Sequence, residues 1–361
     1  MKKMKRVLAA LMIGASLFGL TACGSSGGSG SSNAGGGSQD ASGGNDADTS
    51  GSGEAQVVVQ IAYENFPGEP WDLGCNEWAR LIEERSGGTM KAEIFHSGQL
   101  GSKNDLLDQM LMGEPIITIG DGSFWADYGA PELGITSAPY VYDTWEQVWK
   151  LIDSDWYHEQ EELLAQSGLR ILTTWAYGER NLMSVKPVYT MEDMKGLIVR
   201  TPNTTSYMRA FEAMGAAPTA MALNDVYTAT QQGTIDGMEN PMATLYGQSY
   251  YEVAKYITLT QHIKMPAQQV CSESFFQSLT PEQQEILLET GKEAGVLQNQ
   301  KQDEMLEQYV QDMEAQGVTI IELDDAERAR FKEAAATIYD DPAVSGQWRD
   351  GLYEMVQEII G

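Results

Sequence analysis

Arg200 ends the apolar run Leu197-Ile198-Val199 and stands just before Thr201-Pro202, which makes it a charged group with a defined place in this 361-residue chain. The run reads as a strand, and Pro202, having no N–H for a ladder, forces a turn. A guanidinium at such a strand end can point into a cleft and grip a carboxylate through two parallel N–H bonds. A desolvated bond of that kind contributes on the order of 1.5–3 kcal/mol. The competing reading of the same position is an ordinary surface ion pair, which contributes little. Asn240, before Pro241, is open in the same way, as a ligand contact or only a turn residue.

Catalytic chemistry is largely missing from the pattern. The chain has no HExxH and no P-loop, and neither a GxSxG elbow nor a dinucleotide fingerprint follows a strand, so no enzyme class and no cofactor is indicated. His96, His158 and His262 are far apart, and none has a cysteine or histidine at ligand spacing, which favours structural or surface roles over a metal. Carboxylates are abundant enough that some pair must be close by chance. That leaves a secreted carbohydrate-active hydrolase using an Asp/Glu pair as the alternative function, without support from any spacing. The 52 Asp and Glu against 23 Lys and Arg give a net charge of −29, which argues against nucleic acid as a partner. The same field repels an anionic ligand, so binding one requires locally placed arginines.

The elements that must position these groups alternate. Val57–Tyr63 reads as a strand, stops at Asn65-Phe66-Pro67-Gly68, and gives way to a helix carrying Trp78 and Ile82 that ends at Gly87-Gly88. Met90–Phe95 is a second strand. Ser102 with Asp105 has capping-box spacing before Leu106, Leu107 and Met110, and Ile116–Ile119 is a third strand of buried type. The βαβαβ order predicts a parallel sheet with ligand at its carboxyl ends, at the Glu64–Phe66 and Gly120–Trp125 loops. Leu169–Trp175 is a further strand, and Gly178 is expected to turn the chain toward the cleft. After Arg200, Asn203 or Thr204 caps a helix bearing Tyr207, Phe211 and Met214. An extended piece from Ala217 to Ala222 precedes an Asn224-capped helix ending at Gly233, so a second αβ alternation forms a second lobe. Thr280-Pro281-Glu282-Gln283 starts a long helix toward Gln316, followed by a strand at Val318–Ile321 and helices from Asp325 and about Ala343.

The first residues set the compartment. Lys2, Lys3, Lys5 and Arg6 precede the apolar run Val7–Leu20, too short for a stable span, which reads as a signal peptide. Its end, Leu20-Thr21-Ala22-Cys23, resembles a bacterial lipobox, in which Cys23 is acylated. From Gly24 to about Glu54 the chain is Gly, Ser, Asn and Asp, a flexible tether. Cys75 and Cys271 remain, as a disulfide or as two small hydrophobes.

The segments GLIVRTPN, FEAMGAAPTAM and NDVYTATQQGTIDGMENPM, with GERNLMSVKPV before them and YYEVAKYITLTQHIKMP after, resemble the solute-binding proteins of tripartite ATP-independent periplasmic (TRAP) transporters, the DctP-like family. The resemblance extends to ERSGGTMKAEIFHSGQLGSKNDLL and the Thr280 helix start. It implies an α/β, two-lobed periplasmic-binding-protein-like fold with an interlobe cleft and a long connecting helix. It also implies a receptor that closes on an organic acid, performs no chemistry, and delivers its ligand to a permease of small and large subunits.

Carried over by position, the resemblance makes Arg200 the partner of the ligand carboxylate, with Arg180 of GERNL and Asn240 of MENP assisting. Glu64 and Asp121 fall where family members adapt to the rest of the ligand. Asn203, Phe66, Trp175, Tyr177, Leu223 and Glu239 complete the expected site. Leu223 stands where the family commonly has an aromatic residue, and Gly113-Glu114-Pro115-Ile116 replaces a Gly-x-x-Asp-Met-like ending, so the wall over the non-carboxylate half of the ligand differs. The acids Glu64 and Asp121 suit hydroxyls, which favours a sugar acid such as a uronate or aldonate over a C4-dicarboxylate.

The expected division is a signal peptide (residues 1–22), lipidated cysteine and tether (23–54), lobe I (55–177 with 266–305) and lobe II (178–265 with 306–361). The whole would be a monomeric, extracytoplasmic receptor held to the cell membrane by lipid.

Overall fold

The computed structural model describes residues 56–361, so the expected signal peptide, Cys23 and the tether lie outside the described residues. Val57–Ala62 (β1) is β-branched and apolar, and it pairs in parallel with both Met90–Phe95 (β2) and Ile116–Gly120 (β3). Helix Lys103–Leu111 connects β2 to β3 and carries the expected Ser102/Asp105 capping box.

A second parallel group mirrors the first. Ile198–Thr201 (β5) lies between Ala217–Ala220 (β6) and Gly237–Pro241 (β7). Two long antiparallel strands join the groups: Leu169–Ser184 (β4) and Tyr256–Ser272 (β8), in the order β2-β1-β3-β8-β4-β7-β5-β6, with Thr319–Ile321 (β9) beside β8. At about 3.3 Å per residue a strand of this length runs roughly 50 Å, far enough to belong to both groups.

The helix Pro281–Ala315 begins with the expected Thr280/Gln283 capping box and proline at its first position. It packs by small residues. Gly291 and Gly295 leave room for Trp78 and Trp175, whose atoms lie 2.9 and 2.4 Å from where Cβ atoms would stand, and the indole of Trp175 donates to the Gly291 carbonyl at 3.0 Å. Larger side chains at either glycine would push the helix off the sheet. Cys75 and Cys271 are free and buried in the same core, and the Cys75 sulfur accepts from Gln269.

Several expectations are corrected. Gly178, at φ +122°, does not turn the chain; it sits at a register break between Ala176 and Gly178, and β4 continues to Ser184. Asn224 does not cap by its side chain; a 3₁₀ turn at Leu223–Asp225 leads into the helix Val226–Gln231. Thr204 holds the cap position of helix Thr205–Ala213, but its hydroxyl makes no capping bond. The last segment forms a one-turn helix at Pro342–Ser345 and a longer one at Leu352–Ile360. β8 and the helices Trp145–Ile152 and Asp155–Gln166 were not expected from the sequence pattern.

Candidate functional site

The carboxyl ends of the parallel strands converge on a cavity of about 320 Å³. Glu64 and Asn65 follow β1, Asp121 follows β3, Pro202 and Asn203 follow β5, Met221 to Leu223 follow β6, and Asn240 lies in β7. β4 adds Tyr177 and Arg180. These two face one cavity although three residues apart, because the break at Gly178 resets the alternation of the strand.

Arg200 is 4% exposed, and the only hydrogen bond of its side chain within the described residues runs from Nε to the Met221 carbonyl at 2.8 Å. No carboxylate of the described residues forms a salt bridge with it. Burial holds its guanidinium below the usual arginine range, since the nearby Tyr250, Glu239 and Glu64 compensate only in part. Its terminal nitrogens therefore present a buried positive charge that lacks an anion.

Arg180 is buried to the same degree but already satisfied. Its Nε and Nη2 donate to the two Glu239 carboxylate oxygens at 2.5 and 2.7 Å, Nη1 faces the Met265 sulfur at 3.0 Å, and the guanidinium lies 5.1 Å from the Tyr207 ring centroid. Burial pushes the Glu239 carboxyl upward, but Arg180 and His262 outweigh it and hold it below its ordinary value. His262 places Nε2 3.2 Å from Glu239 and Nδ1 2.8 Å from the Thr260 hydroxyl, and burial depresses its basicity. A neutral ring then donates from Nε2 and accepts at Nδ1.

The opposite wall is mixed in charge. Lys103 Nζ donates to the Ile119 carbonyl at 2.6 Å, stands 3.8 Å from Glu64 and 5.3 Å from the Phe124 ring centroid. Burial lowers the Lys103 ammonium pKa, against the opposing pull of Glu64 and Asp121. Asp121 caps helix Gly122–Asp127 through one oxygen, accepting from Ser123 N at 2.8 Å and its hydroxyl at 2.5 Å. Asn240 Nδ2 is buried without a partner among the described residues and belongs to the cavity lining. The Tyr177 hydroxyl bridges Asn65 and Thr244 at 2.9 and 3.0 Å, and burial raises its pKa to about 12.

Of the eleven expected site residues, Arg200, Arg180, Asn240, Glu64, Asp121, Asn203, Tyr177 and Leu223 line this cavity. Three do not. Trp175 is buried against the long helix, Glu239 lies behind Arg180 as its counter-ion, and Phe66 is 37% exposed outside the cavity. β4 turns the Trp175 indole to the long helix, and Phe66 lies in the loop after β1, away from the cavity. Lys103, Asn65, Phe124 and Met221 were missed. Lys103 directly follows the capping serine, and its spacing signalled only a helix start.

Residues 61–344 match the family described as bacterial extracellular solute-binding protein, family 7. The chain belongs to this family. A sialic acid-binding periplasmic protein of Vibrio cholerae is 30% identical over 269 residues, 73% of this chain and 81% of its own. Among solved structures, a TRAP periplasmic solute-binding protein of Ochrobacterium anthropi with bound L-fuconate is 37% identical, with a TM-score of 0.81, covering 85% of this chain and all of its own. A second, from Actinobacillus succinogenes with bound L-galactonate, is 34% identical at a TM-score of 0.80, covering 84% and 99%. The DctP-like solute-binding protein described here thus has the fold of TRAP periplasmic receptors for organic acids. Among its described residues no helix is long and apolar enough to cross a membrane, and no cluster of His, Cys, Asp or Glu has metal-binding geometry.

Proposed function

We propose that this receptor binds a hydroxylated monocarboxylate, a sugar acid of the aldonate or uronate type, through Arg200. The observation that carries the reading is the buried Arg200 guanidinium whose terminal nitrogens have no partner among the described residues, beside the Asn240 amide, likewise unpartnered among them. Arg180 is neutralised by Glu239 and serves to shape and polarise the wall. Lys103 is already answered by Glu64 and Asp121, and Arg180 by Glu239, which leaves Arg200 as the cavity cation without a facing carboxylate among the described residues, and so a second carboxylate on the ligand has no cation of its own. Hydroxyls suit the far wall, because Glu64 and Asp121 accept from them and Lys103 donates to them. The relatives that carry L-fuconate and L-galactonate support this class.

In this reading the two parallel strand groups, with their helices, act as lobes that close over the acid. The closed receptor delivers it to a TRAP permease, and a lipid on Cys23 holds the chain at the outer face of the membrane as a monomer. A micromolar ligand requires about 8 kcal/mol, which one desolvated arginine clamp, several hydroxyl bonds and closure can supply. Calorimetric titration with L-fuconate, L-galactonate, D-galacturonate and succinate tests it. A sugar acid is expected to bind at least tenfold tighter than succinate, and Arg200→Ala is expected to weaken it a hundredfold or more. Unchanged affinity in Arg200→Ala, or succinate as the tightest ligand, overturns the proposal.

A further inference from the structure

A second cavity, of about 860 Å³, shares β4 with the acid site: Tyr177 and Arg180 line one, Gly178, Glu179 and Asn181 the other. Its charge is one-sided. Glu179, Asp303, Glu314 and Glu322 line it, and no lysine or arginine does. Glu179 is paired with Lys264 at 3.0 Å, while the other three form no ion pair among the described residues.

The long helix spaces these anions. Asp303 and Glu314 are three turns apart on one stripe, about 16 Å along the axis at 1.5 Å per residue, with Leu306 and Val310 between them. The side chain of Gln302, a residue 9% exposed, forms no hydrogen bond with the described residues and lies in the floor against Gly178, where an added Cβ would meet its Nε2 at 2.9 Å. Its amide, free of protein partners among the described residues, faces the groove and is open to a polar group of a ligand. Trp145 and Trp149, with ring centroids 6.0 Å apart and planes 26° from parallel, supply aromatic faces at another wall.

An order of anion, aliphatic, aliphatic, anion along one helix is the complement of an amine, a methylene chain and a second amine. We propose that this groove is a second ligand site, for an extended aliphatic polyamine. Its terminal ammonium groups pair with Asp303 and Glu314, its methylenes cover Leu306 and Val310, and an inner amine donates to the Gln302 carbonyl oxygen. A divalent metal does not fit, because carboxylates about 16 Å apart cannot share one ion. An organic anion is repelled by the lining. The site is independent of which acid the first cavity takes.

The test is calorimetric titration of the full chain with spermine, putrescine and magnesium chloride, at about 150 mM salt to suppress diffuse attraction to the acidic surface. Spermine is expected to saturate at one equivalent. Putrescine, too short to span the two carboxylates, binds at least tenfold more weakly. The double variant D303N/E314Q, whose side chains are exposed and make no bonds to lose, weakens spermine at least tenfold, whereas E83Q/E114Q, with the same charge change elsewhere, leaves it unchanged. No binding, binding of many equivalents, equal loss in both doubles, or putrescine and magnesium as tight as spermine each overturns the site.

Discussion

Arg180 and Arg200 lie in one cavity and differ in what faces them. Glu239 takes two donors from Arg180 and a third from His262 in a fully buried setting, so replacing it leaves a guanidinium without its counter-charge. Glu239→Gln is expected to destabilise the fold by about 3–5 kcal/mol, read as a lower urea midpoint at unchanged slope. A variant as stable as the parent would show that Arg180 does not depend on Glu239 for its counter-charge. Arg200 was legible in the sequence because a proline fixed the strand end beside it. Lys103 was not, because its role depends on β3 bringing the Ile119 carbonyl and Asp121 to it from 16 and 18 positions away.

At the scale of elements, the loop after β1 meets the helix Met242–Gly247 through Glu69. Its carboxyl accepts from Asn65 at 2.6 Å, from Phe66 N at 2.8 Å and from Thr244 at 3.4 Å, and Gly247 has no side chain because a Cβ there would stand 2.5 Å from the Glu69 chain. Burial raises the Glu69 pKa from 4.5 to about 7, Asp72 adds to the rise, and the three hydrogen bonds limit it. Between those values the folded chain holds a proton that the unfolded chain has released. Stability therefore falls as pH rises through this window, by up to about 3 kcal/mol, and this contribution is flat below and above it. Urea unfolding of the parent and Glu69→Gln at about pH 5 and about pH 8 should show that slope in the parent only. Identical pH profiles would refute it. This contact joins the two strand groups and stands directly behind Asn65, a residue of the acid site. Among the elements, the helix starts at Ser102 and Thr280 were legible, since both cap through bonds local in sequence, whereas the caps expected at Asn224 and Thr204 did not form. β8 was illegible. Thr258, Thr260, His262, Gln268 and Gln269 are buried in it, their polarity answered by partners such as Trp125 and Cys75 that no local pattern reveals.

At the scale of the molecule, β4, β8 and the long helix run between the strand groups, and the ladder of β4 with β8 breaks register beside the cavity, at Ala176/Gly178 and Arg180/Leu182. Register breaks are where paired strands bend. Saturation with the best sugar acid is therefore expected to lower the radius of gyration in solution scattering, and a binding-competent chain whose scattering is unchanged would show that the cavity fills without closure. The sequence by itself determined the family, the alternation of elements, the capped helix starts and the arginine at a proline-ended strand. All of these rest on residues close together in the chain. Only the tertiary structure decided that Arg180 is neutralised while Arg200 is free, that Lys103 enters the wall, and that Trp175 and Phe66 leave it. The reason is physical: a strand's alternation fixes which face a side chain takes only until a bulge resets it, and the charge of a buried group is set by partners that folding brings from tens of residues away.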